Sequence, residues 1–167
     1  PTMLDVLGRA NQILIGVGKV GDLFSGRGFT RTLQSAPWTA AFDEVDGMLN
    51  RVPRGLIYAG LDVFDDEPAG SVASLHEFDR RLPHVLEQLR AGDLLVVTGD
   101  HGRHPAKKHR LPTREYVPLL VTGPKLAQGV DLGGRASAAD LGQTVVEALL
   151  GEPLPAGESF LDALRAG

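Results

Sequence analysis

The run Leu94-Leu95-Val96-Val97-Thr98-Gly99-Asp100-His101-Gly102 decides the fold class of this chain. Its first five residues carry no charge and are rich in β-branched and aliphatic side chains, as a buried strand requires. An acid and an imidazole then follow side by side, flanked by glycines that let backbone approach a bound ion without a Cβ in the way. Open α/β sheets place their chemistry outside the carboxyl ends of their strands. Carboxylate and imidazole both ligate divalent metals, so Asp100 and His101 are the first candidate ligands.

Working outward, Gln12 to Val17, Leu56 to Phe64 and Val117 to Thr122 read as further strands. Helical patterns separate them. Residues 2 to 10 form one, and residues 39 to 50 another, with Thr39 as its N-cap and Phe42, Val45, Met48 and Leu49 on one face. Residues 71 to 90 repeat apolar positions every three or four residues, with Pro83 expected to kink the helix or split it in two. Ala138 to Leu150 is a helix ended by Gly151 and Pro153, and a short one spans Ser159 to Arg165. Strands alternating with helices predict an α/β fold: a mostly parallel sheet covered by helices on both faces. Two segments read as mobile loops, Ser25 to Pro37 and the basic stretch from Arg103 to Pro112.

With 167 residues, 43% of them hydrophobic and 23% charged, the chain is expected to form a single α/β domain, 1–167. A net charge of -4 gives no global attraction to nucleic acid or an anionic membrane, so anion recognition must be local. There is no cysteine, which excludes disulfides, thiolate metal sites and a cysteine nucleophile. No apolar run reaches the roughly 18 residues of a membrane span, and the first residues lack a signal-peptide pattern; a cytoplasmic location is expected. Pro1-Thr2 leads straight into a helical pattern, as if the chain opened inside a domain.

Thr113-Arg114-Glu115-Tyr116-Val117-Pro118-Leu119 follows Asp100-His101-Gly102 after a loop, and together they resemble the phosphopentomutases of the alkaline phosphatase superfamily. Pro1 to Asp5, Gly18 to Phe24, Gly26 to Thr30 and Phe78 to Pro83 resemble segments of that family in the same order. The resemblance implies an alkaline-phosphatase-like core, here the portion that follows the cap domain. It also implies transfer of phosphate between the C1 and C5 oxygens of ribose or deoxyribose, using a phosphothreonine and two manganese ions. Asp100 and His101 match ligands of one ion, and Asp65, in the acidic cluster Asp62 to Glu67, matches a ligand of the other.

Two departures fall on that second ion. The family's histidine five residues after the matched aspartate is Gly70 here, and the histidine directly before Thr-Arg-Glu-Tyr is Pro112. His104 and His109, in the same loop, are substitute candidates. No residue matches the phosphate-carrying threonine, so the resemblance implies no catalytic residue in this chain and no turnover by it alone.

Lys107, Lys108 and Arg110 beside the metal candidates are possible phosphate contacts, as is Lys19 in the family-like Gly18-Lys19 segment. Gly16-Val17-Gly18-Lys19-Val20-Gly21 also fits the dinucleotide pattern G-x-G-x-x-G, but Asp43 and Asp46 fall in a helical stretch instead of at a strand end. The expected partner is a sugar phosphate, without nucleic acid or membrane, together with a dimer mate or a missing amino-terminal half. The alternatives are a degenerate binding or regulatory module and a metal-dependent phosphatase of the same superfamily.

Overall fold

The computed structural model describes residues 1–62, 71–102 and 112–165. The chain forms two compact units: Pro1–Val63 with Ala127–Gly167, and Phe64–Leu126.

The first unit is built on β1 (Ile13–Gly18), which pairs in parallel with β2 (Arg31–Leu33) on one side and β3 (Gly55–Gly60) on the other. Five of the six residues of β1 are buried, because alternate side chains feed two different cores. Leu14 packs with Leu4 and Leu7 of α1 (Met3–Arg9) and Val146 of α5 (Ala139–Leu150). Ile15 and Val17 meet Ala41 and Met48 of α3 (Trp38–Leu49) on the opposite face. Helices on both faces of a parallel sheet are the expected α/β architecture. Each fully buried leucine or valine contributes about 2 kcal/mol by its burial.

Local chemistry fixes the element ends. Thr2 and Asp5 form a capping box on α1, with Asp5 N–H donating to Thr2 Oγ1 at 3.2 Å and Thr2 N–H to Asp5 Oδ2 at 2.8 Å. The hydrogen bond from the Thr2 backbone, then that from its hydroxyl, holds the Asp5 carboxyl below its ordinary pKa. Gly151 ends α5 at φ 75°, its N–H on the Glu147 carbonyl at 2.8 Å. Three details differ from the sequence reading. Helix α3 starts at Trp38, with Pro37 as N-cap in an extended conformation, so Thr39 lies inside the helix. The segment read as a mobile loop, Ser25 to Pro37, contains β2; Leu14 and Thr30 hold it by two hydrogen bonds, at 2.7 and 3.0 Å. A four-residue helix, α2 (Val20–Leu23), follows β1 directly.

The second unit holds α4 (Ser71–Gln88), β4 (Leu95–Thr98) and β5 (Leu119–Thr122). β4 and β5 are antiparallel, Leu95 opposite Thr122 and Thr98 opposite Leu119. Helix α4 runs through Pro83 as one element instead of two, with Asp79 and Pro83 both on its exposed side, where water reaches the carbonyl that proline cannot serve. Glu77 accepts from Arg80 and Arg81 one turn on, and those two guanidiniums pull its carboxyl down to about 2. No described helix is long and apolar enough to cross a membrane.

The carboxyl-terminal segment of the first unit is locked by a buried acid. Asp140, 6% exposed, accepts from Arg135 Nε at 2.9 Å and from the Glu158 backbone at 3.0 Å. Thr144, fully buried, donates to the Asp140 carbonyl at 2.8 Å and accepts from Phe160 N–H at 3.1 Å. The Glu158 hydrogen bond, and then Arg135, hold the Asp140 carboxyl below its usual range. A folded-state pKa below the unfolded one makes this contribution complete above the unfolded value of about 3.9; it fades as pH falls through the folded value. Asp140→Ala is expected to cost about 2–4 kcal/mol in chemical denaturation at pH 7, with the difference from wild type shrinking below about pH 4. An equal deficit at pH 3 and pH 7 contradicts this assignment.

Candidate metal centre

β4 delivers Asp100 and His101 two and three residues beyond Thr98, at the carboxyl end of the strand. The turn they occupy is pinned by a two-bond antiparallel bridge between Gly102 and Thr113. Gly102 N–H donates to the Thr113 carbonyl at 3.3 Å and Thr113 N–H to the Gly102 carbonyl at 2.9 Å. A Cβ at Gly99 would lie 3.1 Å from Val117, so both glycines serve the close approach of the 113–117 segment. His101 Nδ1 lies 3.0 Å from the Gly102 carbonyl, and its Nε2 lies 3.7 Å from Asp100 Oδ1. The Asp100 side chain is 64% exposed and that of His101 32%, so solvent reaches both.

This donor pair fits a divalent cation. Carboxylate oxygen and imidazole nitrogen each bind such ions at about 2.0–2.2 Å, and two donors 3.7 Å apart fall within the span one ion bridges. Thr113 Oγ1 beside the turn is buried without a hydrogen-bond partner, a polar atom the fold itself leaves unused. Among the described residues, no group of three or more histidines and carboxylates gathers, at this turn or elsewhere, so Asp100 and His101 stand as a two-donor candidate.

The remaining candidates divide by position. Asp65, His104, Lys107, Lys108, His109 and Arg110 lie outside the described residues, as does Gly70. Pro112 is exposed and immediately precedes the bridged Thr113. Lys19, in the first unit, follows β1 and forms an ion pair with Asp62, just beyond β3. The sequence reading missed Asp62 as that partner, although its place after an apolar run was visible. Because β1, β2 and β3 are parallel, Lys19, Gln34 and Asp62 all stand at one sheet edge, where Gln34 also donates to Asp22 at 3.0 Å.

The glycines of the dinucleotide-like pattern have packing roles. A Cβ at Gly16 would lie 3.1 Å from Phe29, one at Gly21 3.0 Å from Thr32, and one at Gly18 (φ 71°) 2.4 Å from the Gly60 carbonyl oxygen. An apolar groove of about 260 Å³ between α4 and the β4–β5 pair, and a shallow cleft of about 390 Å³ near Asn11 and Phe29, include neither Asp100 nor His101.

The profile of the Metalloenzyme superfamily matches residues 64–153, more than half of the chain and the whole Asp100-His101 region. The chain belongs to the metalloenzyme superfamily. Among proteins named phosphopentomutase, that of Chelativorans sp. (strain BNC1) is 43% identical over 175 residues, covering 99% of this chain and 42% of its own length. The one from Anaeromyxobacter dehalogenans (strain 2CP-C) is 41% identical over 96% of this chain and 42% of its own. That of Dictyoglomus turgidum is 38% identical over 100% and 44%. The resemblance to phosphopentomutases thus extends along nearly the whole metalloenzyme chain, which spans about two fifths of the length of the curated relatives it matches.

Pro112, without a donor atom, stands beside the bridge where the resemblance expects an imidazole. Pro112→His returns an imidazole to the position that the resemblance gives to the second ion, so it is expected to add a second Mn2+ binding step in calorimetric titration. A titration unchanged from wild type would mean that position 112 does not face a second ion.

Proposed function

We propose that this chain is the part of a phosphopentomutase-like core domain that follows the cap, and that Asp100 and His101 hold one Mn2+ ion there. The observation that carries the reading is the pinned Asp100-His101-Gly102 turn at the carboxyl end of β4, in a chain of the metalloenzyme superfamily. The complete protein then interconverts the 1- and 5-phosphates of ribose or deoxyribose. It is an intramolecular phosphotransferase, an isomerase of nucleotide metabolism in the cytoplasm.

When bound, a divalent ion supplies positive charge against the oxygens of a transferred phosphoryl group. The chain's own residues do the rest of what it can do. Asp100 and His101 fix the position of that charge on a rigid strand end. Lys19, held by Asp62 at the β1–β3 edge, offers an ammonium to a sugar phosphate. Lys107, Lys108 and Arg110 raise the local concentration of such anions. Asp65 is the expected ligand of a second Mn2+ ion, with His104 or His109 in place of the imidazoles absent at Gly70 and Pro112.

No residue supplies the nucleophile, so the 167-residue chain is inactive by itself and works with an amino-terminal half or a partner copy. A non-catalytic binding module descended from the same core is the second reading, favoured by Pro112. A metal-dependent phosphatase of the same superfamily is the third.

Calorimetric titration of the purified chain is expected to show saturable Mn2+ binding that Asp100→Asn and His101→Gln each weaken about tenfold. Ribose 1-phosphate and ribose 5-phosphate are expected to remain unchanged in its presence. Binding indifferent to both substitutions would overturn the metal assignment. Turnover that Asp100→Asn abolishes would overturn the inactivity of the chain. One bound ion instead of two favours the module.

A further inference from the structure

The carbonyl of Gly102 has two donors around it, one of them a histidine ring. Thr113 N–H donates to it at 2.9 Å, and His101 Nδ1 lies 3.0 Å away. A carbonyl oxygen has no proton to give, so the contact is a hydrogen bond only if Nδ1 carries the ring proton. The other nitrogen, Nε2, then keeps its lone pair, and it is Nε2 that stands 3.7 Å from Asp100 Oδ1. A neutral imidazole in water favours the opposite tautomer, with the proton on Nε2, so the turn must impose this one.

The turn is also too tight for a side chain at residue 102. A Cβ there would lie 2.6 Å from Glu115 Oε2, 3.0 Å from Thr113 Oγ1 and 3.2 Å from Glu115 Cβ. A Cβ there displaces the end of the Glu115 side chain and crowds Thr113 Oγ1 and Glu115 Cβ, pressing on the bridge that aims the carbonyl at His101.

We propose that Gly102 is a positioning residue for the cation site: its carbonyl, held by Thr113 N–H, takes the Nδ1 proton of His101 and leaves Nε2 as the atom that binds a divalent cation. The assignment rests on the reading of Asp100 and His101 as cation ligands and adds which ring nitrogen binds and what selects it. Glycine at 102 eases the close approach of Thr113 and Glu115, and it does not adopt a positive φ. Thr113 contributes through its backbone N–H.

The deciding experiment is two-bond 1H–15N correlation NMR of the full chain without metal, at a pH where His101 is neutral. The His101 signals are assigned by their loss in His101→Gln. A pyrrole-type Nδ1 with a pyridine-type Nε2 is expected, and the opposite pattern overturns the proposal with no variant needed. Gly102→Ala, checked for folding by circular dichroism, is expected to show a mixture of tautomers and a Kd for Mn2+ raised tenfold or more, the range typical when a ligating histidine loses its orienting partner. Wild-type tautomer and affinity in folded Gly102→Ala also overturn it. If the wild type shows the Nδ1–H tautomer but binds no Mn2+, the cation reading has failed and the proposal falls with it, a result distinct from the wrong tautomer.

Discussion

A strand with helices on both of its faces has no solvent-facing side for a polar residue to occupy. β1 lives under that constraint: Leu14 belongs to the core made with α1 and α5, while Ile15 and Val17 belong to the one made with α3. β3 alternates in the same way, Leu56 and Tyr58 toward the first core and Ile57 and Ala59 toward the second, and β2 and β3 both pair with β1. Truncating a fully buried residue such as Leu14 or Val17 leaves a cavity in its core, and large-to-small changes at such sites cost about 2–5 kcal/mol. The parallel arrangement has a chemical consequence as well. All three carboxyl ends share one edge, so Lys19, Gln34 and Asp62 arrive there together without any of them being close in sequence.

In the second unit, the strand end itself is the candidate site, and backbone hydrogen bonds shape it. β4 brings Asp100 and His101 into place, and the paired Gly102–Thr113 bonds hold the turn that presents them. Glycine at 99 and at 102 allows the 113–117 segment to lie against that turn, with Val117 on one and Glu115 and Thr113 on the other. Asp100 is exposed and His101 half-buried, as are Gly99, Gly102, Thr113 and Val117 around them, so the candidate donors stay reachable while backbone hydrogen bonds hold the turn.

Much of this was legible in the sequence where the signal is local. The apolar runs at β1 and β4, the glycine after α5 and the Asp-His pair after a strand were all visible, because each depends on residues adjacent in the chain. β2 was not, since Arg31 and Thr32 carry no apolar signal and the strand exists through its pairing with β1, sixteen residues away. The helical reading of Thr39 as N-cap failed because a cap is a conformation, and Pro37 adopts it one residue before Trp38. The packing role of the Gly16–Gly21 glycines was hidden for a related reason: they admit Phe29, Thr32 and Gly60, which lie far along the chain. At the site, Thr113 could not have been singled out, because its contribution is a backbone N–H that every residue but proline possesses.

Anomalous diffraction at the manganese edge from Mn2+-soaked crystals of the chain tests the account most directly. It predicts an anomalous peak bonded to an Asp100 carboxylate oxygen and to Nε2 of His101, with Nδ1 still on the Gly102 carbonyl. A peak bonded elsewhere, or bonded through Nδ1 with the Gly102 contact broken, would contradict it.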